Sequence, residues 1–411
     1  MDRFDVIVVG AGPAGMMAAI RAGERNRKVL LLEQKCSPGK KLLISGNGRC
    51  NLTNSCDVKD FLEKFSRSRY FLRNAFAKFF NTDLILFFEN SGLKLKIEEG
   101  GRVLPKSDRA KDILYVLQEH LKNNHVRIIF GERVREITLN NKKIDGVVTY
   151  SNKYFLAARV VVATGGLSYP ETGSTGDGYA IAEKLGHSIV PLSPALVPIF
   201  IKENFVKDWQ GVALENAHVT LFAAGKKIDE KSGDLIYTHF GLSGPVVFDL
   251  SASVYDVLRC GNAVELAINF LPGLDFKQLD NALLDECRKY PGKSVKNMLK
   301  RFLIHRLIGR FLEHCGINEN INVNQITSEE RKKIIKSLSD FRLTVKGVMP
   351  INDAIVTRGG ISTKEINPKT MESRLINGLF FAGEIIDVDA KTGGYNMQAA
   401  FSTGWVCGDS I

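Results

Sequence analysis

The sequence predicts an α/β protein in which one parallel-sheet domain is built from both chain ends and is interrupted by an insert. Near the N-terminus a β-branched run leads into a glycine-rich turn and a helix, and Gly378–Glu384 (GLFFAGE) repeats this strand-and-glycine pattern before a terminal helix. Between them, short alternating segments are followed by helical periodicity. The predicted domains are 1–191 and 345–411 for the parallel-sheet domain, 192–275 for a β-rich insert subdomain and 276–344 for a basic helical insert subdomain.

Composition excludes several classes of protein. The 411 residues are 44% hydrophobic and 25% charged, as in packed globular domains, and the length suits two or three of them. The seven cysteines form no CxxC pair and have no histidine at zinc-ligand spacing, so we expect neither a disulfide framework nor a metal site. No apolar run is long enough for a membrane helix, and the N-terminus lacks a signal-peptide layout. We therefore expect a reducing, cytoplasmic compartment and no membrane partner.

The net charge of +11 is concentrated in one region of the sequence. Between Arg288 and Lys346 there are 14 Lys and Arg against 5 Asp and Glu, which leaves +2 for the rest. The main helix of this region is predicted over Ser294–Glu313. A solvated helix face is the favoured interpretation, and a nucleic-acid contact is the alternative.

The N-terminal motif predicts a dinucleotide site. The strand Phe4–Val9 opens into Gly10-Ala-Gly12-Pro-Ala-Gly15 and a helix, and a second strand ends at Glu33, 18 positions past Gly15. Backbone N–H groups and the helix dipole would bind a pyrophosphate, while the carboxylate would bind ribose hydroxyls and disfavour a 2′-phosphate. The ligand is thus FAD or NAD, and the predicted contacts are Gly10, Gly12, Pro13, Ala14, Gly15, Glu33 and Gln34.

Three further segments favour FAD. Pro38–Asn54 (PGKKLLISGNGRCNLTN) concentrates basic residues and glycines, and Ala163–Tyr179 has glycines that permit close approach to a bulky cofactor. Thr175 and Asp177 are predicted helix caps. Gly393 and Gly394 begin the terminal helix, whose N-terminal dipole would stabilise negative charge on a reduced isoalloxazine.

Taken together, these motifs resemble a known family. The glycine loop, GKKLLISGNGRCNLTN, GDLIYTHFGLSGP (233–245), VTRGG (356–360) and PKTMESRLINGLFFAGEIIDVDAKTGGYNMQAA (368–400) are similar to the BaiN-like bacterial flavoproteins, which are NAD(P)/FAD-dependent oxidoreductases. The resemblance covers essentially the whole chain and implies a glutathione-reductase-type, Rossmann-like FAD domain made from both chain ends. Related flavoproteins usually carry Asp where Glu384 stands. Beyond the glycine loop and Glu33, the predicted FAD contacts are Lys40, Ser45, Gly46, Asn47, Gly48, Arg49, Cys50, Asn51, Val134, Ala163, Thr164, Gly165, Gly166, Asp177, Gly383, Glu384, Gly393, Gly394, Tyr395, Asn396 and Met397.

The predicted function is hydride transfer between flavin N5 and a small organic substrate, namely an amine, aminoketone or enone. The family has been linked to aminoketone oxidation and to reduction of unsaturated steroid-like ketones, so it does not define the substrate. NAD(P)H or oxygen is the expected second partner, and because no second GxGxxG follows a strand, NAD(P)H would visit the flavin transiently. The substrate pocket is expected between the flavin and the β part of the insert.

The catalytic candidates are His239, Tyr395 and Asn396. His239 is the acid/base candidate because of its pKa range, and a histidine bonded within a turn is the competing interpretation. Cys50 is not favoured as a redox thiol because Cys56 is poorly spaced to pair with it. The alternative function is an FAD-containing nucleic-acid-binding or RNA-modifying protein that uses the basic insert. The two functions differ in the salt dependence of binding.

Overall fold

The computed structural model describes residues 3–141 and 143–411, which form two compact units. The first unit contains the chain up to Ala195 together with Ile351–Ile411, and the second is Leu196–Pro350. The chain therefore enters and leaves the insert a few residues later than the predicted boundaries at 192 and 344.

Twenty strands and thirteen α-helices follow one another along the described chain. The strands are β1 Arg3–Phe4, β2 Val6–Val9, β3 Val29–Glu33, β4 Thr53–Asn54, β5 Leu95–Ile97, β6 Arg102–Pro105, β7 Arg127–Phe130, β8 Val134–Asn140, β9 Lys143–Thr149, β10 Tyr154–Ala157, β11 Val160–Val162, β12 Ile189–Ala195, β13 Ile199–Ile201, β14 Ala213–Ala223, β15 Lys226–Tyr237, β16 Gly241–Ser243, β17 Val264–Asn269, β18 Phe341–Val348, β19 Val356–Ile361 and β20 Leu379–Phe381. The α-helices are α1 Pro13–Glu24, α2 Lys40–Ile44, α3 Val58–Leu62, α4 Arg73–Lys78, α5 Asn81–Asn90, α6 Ala110–Asn123, α7 Asp177–Lys184, α8 Pro245–Arg259, α9 Phe276–Lys289, α10 Val295–Leu299, α11 His305–Cys315, α12 Ser328–Ser339 and α13 Tyr395–Asp409.

A parallel sheet forms the centre of the first unit, with strand order β20-β11-β2-β3-β7. Val160 pairs with Ile7 on one side and with Leu379 on the other, so strands from both chain ends meet across β11. The residues of β2, β11 and β20 are all buried, as expected for strands covered on both faces. The α/β class with a Rossmann-type domain is thereby confirmed.

Smaller sheets surround this centre in the first unit. Their strand orders are β1-β10-β9-β8, β12-β19 and β4-β6-β5. The sheet β4-β6-β5 places β4 beside the N-terminus of α13. The sheet β1-β10-β9-β8 contains β8, the strand that follows β7 in the chain.

Helices α1 and α13 cross with their backbones in direct contact. A Cβ added at Gly404 would lie 2.2 Å from the carbonyl oxygen of Ala14, and one at Gly408 would lie 2.5 Å from that of Ala18. An ion pair of 2.9 Å between Arg21 and Asp409 closes the far end of the crossing. The small residues of α13 therefore attach the C-terminal segment to the helix that follows the glycine-rich loop.

The second unit is a closed antiparallel barrel with strand order β13-β16-β15-β14-β17-β18, joined by helices α8 to α12. One hydrophobic core combines barrel residues such as Tyr237 and Phe341 with helical residues such as Phe311. The predicted division at 275/276 is thus not a structural boundary, and β18 runs through the predicted boundary at 344/345.

The helix predicted over Ser294–Glu313 is wrong, because the chain forms α10 and α11 with a break between them. Apolar residues surround the predicted helix on nearly all sides from Phe302 onward. Leu299 before the break, Leu303 within it and Leu307 after it are all buried, so both helices contribute to the core of the unit.

The basic stretch is largely neutralised within its own unit. Residues 196–350 contain 21 Lys and Arg against 18 Asp and Glu, a net charge of +3. Arg310 pairs with Asp208 at 2.8 Å, and Arg331 pairs with Asp280 at 2.6 Å. Residues 196–350 are therefore close to neutral as a unit, although residues 276–344 within them keep 14 Lys and Arg against 8 Asp and Glu.

Two absences hold for residues 3–141 and 143–411. None of the helices there is both long and apolar enough to cross a membrane. No group of three or more His, Cys, Asp or Glu side chains is arranged to hold a metal ion.

Substituting Gly404 tests the helix crossing. We expect Gly404→Ala to lower the free energy of unfolding by about 1–3 kcal/mol, because its methyl group would meet the Ala14 carbonyl. Thermal unfolding followed by circular dichroism measures the change. The control is Gly309→Ala in α11, where the nearest atom would be 3.5 Å away. Equal stabilities of the two variants would contradict a tight crossing.

Candidate cofactor site

The glycine-rich loop between β2 and α1 combines two tightly packed glycines with one open position. A Cβ at Gly10 would lie 2.5 Å from the Ala163 oxygen, and one at Gly15 would lie 1.9 Å from the Gly10 oxygen. At Gly12 an added Cβ would meet nothing within 4 Å. Gly12 is also the N-cap of α1, and Pro13 occupies its first turn. The free space therefore lies at the positive end of a helix dipole, where a phosphate binds favourably.

Glu33 connects the end of β3 to this loop. Its carboxylate accepts hydrogen bonds from the N–H groups of Ala11 and Lys35, each at 2.8 Å. Burial raises the pKa of Glu33, and the backbone hydrogen bonds partly oppose that rise. The neighbouring Gln34 amide donates to the Gly173 carbonyl at 2.6 Å. Glu33 is thus buried and held in one orientation, as a residue that binds ribose hydroxyls must be.

The segment containing Lys40–Asn51 forms α2 and a short 3₁₀ turn at Ser45–Gly48. Asn47 in this turn has a φ of 56°, within the left-handed region, as do Gly46 and Gly48. The guanidinium of Arg49 forms ion pairs with Glu98 and Asp108. These acids hold Arg49 on the surface of the unit, and its predicted contact with FAD stays a prediction.

Cys50 is a fully buried free thiol in the same segment. Burial raises its pKa to about 12, although a hydrogen bond with Ser45 acts in the opposite direction. Cys56 is also a free cysteine. Cys50 is therefore protonated at neutral pH, which makes it a poor redox nucleophile.

The loop after β11 lies against the Gly10 turn. Gly165 has a φ of 74°, and a Cβ at Gly166 would lie 2.4 Å from Thr357 Oγ1. The hydroxyl of Thr164 is buried without a hydrogen-bond partner. A buried hydroxyl of this kind marks a position where a bound group completes the hydrogen bonding.

Glu384 links three separate segments of the first unit. Its carboxylate accepts from the Thr357 N–H at 2.8 Å and from the Ser168 hydroxyl at 3.1 Å, and it pairs with Lys41 at 2.7 Å. The neighbouring Gly383 has a φ of 79° and donates its N–H to the Thr403 hydroxyl. Both carboxylate oxygens of Glu384 are thus engaged within the chain. The FAD contacts predicted for Lys40 and Glu384 stay predictions.

The predicted cap of α7 differs from the observed one, whereas the FAD contacts predicted for Asp177 and Val134 stay predictions. The N-cap of α7 is Gly176, in the left-handed conformation, so the prediction of capping by Thr175 or Asp177 is wrong. Asp177 instead pairs with Arg133 at 2.6 Å, and this hydrogen bond lowers the pKa of Asp177. Val134 begins β8 and pairs with Thr149.

The N-terminus of α13 is built from close backbone contacts. Gly394 has a φ of 96°, and a Cβ there would lie 2.4 Å from the Thr53 oxygen. The amide of Asn51, oriented so that both bonds form, accepts from the Gly394 N–H at 3.2 Å and donates to the Thr53 carbonyl at 3.1 Å. Gly393 accepts a hydrogen bond from Asn54 through its carbonyl. These contacts fix the start of α13.

Tyr395 and Asn396 both contact other residues of the first unit. The buried ring of Tyr395 meets the ring of Phe61 edge to face, with centroids 4.8 Å apart. The amide of Asn396 accepts from the Ala390 N–H at 2.9 Å and donates to the Ala390 carbonyl at 2.8 Å. Asn396 therefore braces the loop before α13, and a catalytic role for Tyr395 or Asn396 stays a prediction. Met397 is partly buried against the core.

His239 belongs to the second unit, where it lies exposed in the turn between β15 and β16. Its ring contacts the ring of Phe240, with centroids 4.9 Å apart. The Thr238 hydroxyl in the same turn accepts from the Gly241 N–H. A catalytic role for His239 stays a prediction.

Two buried acids were not predicted from the sequence. Asp387 and Asp389 lie between Glu384 and the start of α13, and both are less than a tenth exposed. One carboxylate oxygen of Asp387, Oδ1, has no hydrogen-bond partner, whereas Asp389 accepts from the Ser66 hydroxyl at 2.7 Å. Burial raises the pKa of both carboxyls. Two acids inside the otherwise apolar run IIDVDA were the available sequence signal.

These features fit FAD. The open space at Gly12 suits a pyrophosphate, Glu33 suits a ribose, and the unpartnered hydroxyl of Thr164 lies on the loop that contacts the glycine turn. Within the described part of the chain, FAD would therefore be held by three segments: the glycine loop, the β11 loop and the N-terminus of α13.

Known proteins match the chain over its whole length. A family model described as HI0933-like protein Rossmann domain matches residues 4–410. A 3-dehydro-bile acid delta(4,6)-reductase of Clostridium scindens is 33% identical over 410 residues, which cover 99% of this chain and 98% of that protein. A ribosomal RNA dihydrouridine synthase of Escherichia coli is 32% identical over 414 residues, which cover 100% and 98%. The predicted resemblance and the oxidoreductase class are confirmed by these matches.

A solved structure shares the fold at low identity. It is a 3-ketosteroid delta1-dehydrogenase from Sterolibacterium denitrificans in complex with 1,4-androstadiene-3,17-dione. The TM-score is 0.52 at 13% identity, with 99% of each chain covered. At this identity the similarity concerns the fold alone.

Substitutions at two glycines distinguish binding from folding. We expect Gly12→Asp to keep the thermal stability of the FAD-free protein but to abolish FAD binding, because its carboxylate would occupy the open space at the phosphate position. Gly15→Ala should lower stability directly, since its Cβ would collide with the Gly10 oxygen. FAD absorbance after reconstitution and unfolding of the FAD-free proteins measure the two effects. Full FAD occupancy in Gly12→Asp would contradict the assignment.

Proposed function

The chain belongs to the HI0933-like Rossmann-domain family, and from this premise we propose that it is an FAD-dependent reductase of a carbon–carbon double bond conjugated to a carbonyl group. The observation that carries the proposal is the open space at Gly12, where an added Cβ would meet no described atom within 4 Å. The buried carboxylate of Glu33 beside the loop supports it.

The two curated relatives act on different molecules but share a type of bond change. A 3-dehydro-bile acid delta(4,6)-reductase acts on double bonds conjugated with a 3-keto group. A dihydrouridine synthase saturates the double bond of uracil, which is conjugated with a ring carbonyl. In both, hydride addition to the carbon β to the carbonyl and protonation of the α carbon complete the reduction. This shared chemistry supports an enone-type substrate over the amines and aminoketones also predicted.

Bound FAD in its reduced form supplies the hydride for such a reaction. The N–H groups at the start of α1 would bind the pyrophosphate, and Glu33 would accept from ribose hydroxyls. The start of α13, fixed by Asn51 and Thr53, presents a second positive helix end. NAD(P)H or another donor would reduce the flavin, and the experiment below compares NADH and NADPH as donors.

Asp387 is the acid that we assign to protonation of the substrate. Its carboxyl is buried, one of its oxygens has no partner, and it lies four residues before Lys391 on the segment that leads to α13. Because burial raises the pKa of Asp387, the carboxyl keeps its proton to higher pH than an exposed one. A protonated carboxyl can then deliver the proton to the α carbon.

A uracil base in RNA is the second candidate substrate, and the similarity to a ribosomal RNA dihydrouridine synthase favours it. The insert gives this candidate little support, because its net charge is only +3. The first unit instead contains 35 Lys and Arg against 27 Asp and Glu, a net charge of +8. A contact with RNA would therefore be expected on the first unit.

Anaerobic reoxidation of the reduced flavin tests the proposed reaction. The holoenzyme is reduced with NADH, NADPH or dithionite and mixed with a 4-en-3-one steroid, a ribosomal RNA fragment or aminoacetone. We expect the oxidised absorption band to return with a conjugated substrate and not with aminoacetone. Oxidised holoenzyme is mixed with aminoacetone in parallel. Reduction of its flavin by aminoacetone, with no reoxidation of the reduced enzyme by either conjugated substrate, would overturn the proposal.

The Asp387→Asn variant tests the proton donor. We expect turnover to fall by about 10²–10⁴-fold, and the wild-type rate to decline as pH rises through the folded-state pKa of Asp387. The free energy of unfolding should depend on the same titration. Below the unfolded-state pKa of about 3.9 the wild type and Asp387→Asn should differ least in this free energy. As pH rises above that value, the wild type should lose stability relative to Asp387→Asn, because the pKa of Asp387 is raised in the folded state.

The control for this test is Asp353→Asn, which changes an exposed acid of the first unit. It should keep the wild-type turnover and pH profile. An unchanged pH profile in Asp387→Asn would remove Asp387 from proton transfer.

A further inference from the structure

An open cavity of about 510 Å³ lies in the first unit, and none of its lining residues belongs to the glycine loop, the β11 loop or α13. It is lined by the consecutive residues Phe65–Phe71 and by Thr363. The loop is attached to the rest of the unit through Ser66, which binds Asp389 through both its N–H and its hydroxyl, and through Ser68, which contacts Thr363 at 3.3 Å. A cavity of this volume accommodates an organic ligand rather than a bare ion.

Three arginines, Arg67, Arg69 and Arg73, lie within a span of seven residues at this loop, and each is exposed. The guanidiniums of Arg69 and Arg73 each lie 4.9 Å from the ring centroid of Tyr70, and Arg69 donates to the Tyr70 hydroxyl at 3.1 Å. Tyr70 itself is 60% exposed. The aromatic ring thus holds two guanidiniums at the surface by cation–π contacts, a role that lysine fills less well.

The charge of this cluster is not balanced by ion pairs. For Arg67, Arg69 and Arg73 no carboxylate ion pair is formed with any part of the chain that the structure describes, whereas Arg49, Arg133 and Arg310 are each paired. Asp387 and Asp389 lie close enough to interact with Arg67, but both are buried, and burial raises their pKa. The arginines therefore remain available to an external anion.

We propose that Arg67, Arg69 and the hydroxyls of Ser68, Tyr70 and Thr363 form a binding site for a phosphate group of a nucleotide ligand. A carboxylate has two oxygens, and one arginine guanidinium can bind both of them. A phosphate has more acceptor oxygens and more negative charge, so it can bind several donors at once. Arginine is also the residue suited to planar, bidentate phosphate recognition. The phosphate comes from a dinucleotide electron donor or from an RNA backbone, and the inference does not depend on which conjugated bond is reduced.

Binding to the oxidised FAD-loaded holoenzyme tests the site without turnover. The probes are NADP⁺, measured by calorimetry, and a fluorescently labelled 12-nucleotide RNA, measured by anisotropy. We expect the double variant Arg67→Gln/Arg69→Gln to weaken binding of at least one probe about tenfold or more. If RNA is the ligand, the slope of log K against log salt should fall by roughly 0.7 to 0.9 for each lost phosphate contact.

Arg109→Gln is the matched control, because it removes an exposed arginine that pairs with Asp112 on α6. It should bind both probes as the wild type does, and FAD absorbance and thermal unfolding should be the same in all three proteins. Loss of NADP⁺ binding assigns the site to the donor, and loss of RNA binding assigns it to RNA. The proposal is overturned if neither probe distinguishes the double variant from Arg109→Gln.

Discussion

The contact between the backbones of α1 and α13 is the constraint on which the first unit depends. Gly404 and Gly408 let α13 approach the carbonyls of Ala14 and Ala18 as closely as two helices can. In the same unit β20 pairs with β11, and β11 pairs with β2. Because the glycine-rich loop begins α1, any change in this crossing also moves the loop that would hold a pyrophosphate. Fold and site therefore share one close contact.

The charged side chains Glu33 and Glu384 near the site form hydrogen bonds and ion pairs mainly with other residues of the chain. Glu33 holds the N–H groups of Ala11 and Lys35, and Glu384 joins Lys41, Ser168 and Thr357. Carboxylates satisfied in this way orient loops at the ends of parallel strands, where ligands of open α/β sheets bind. Asp387 differs from them because one of its oxygens has no partner. A buried acid with unused hydrogen-bonding capacity is costly, which is why it is a candidate for chemistry.

Much of the fold could be predicted because it follows from local patterns. The β-branched runs at Val6–Val9 and Val160–Val162 and the glycine spacing after β2 indicate buried parallel strands and a phosphate loop. The resemblance to BaiN-like flavoproteins then added the contribution of the C-terminal segment. The insert was harder, because β18 closes the barrel only after four intervening helices. Pairing between strands far apart in sequence leaves no local signature.

By itself, the sequence determined the glycine loop, the acidic residue at the end of β3, the family and the total charge, since each depends on residue type and spacing. Only the tertiary structure decided which charges neutralise one another: Arg49 is held by surface acids, and the basic stretch of the insert meets acids of the barrel and of α9. It also decided that Asn396 braces a loop while Asp387 keeps a free oxygen. Hydrogen bonds and ion pairs depend on distances across the fold, and spacing along the chain does not determine those distances.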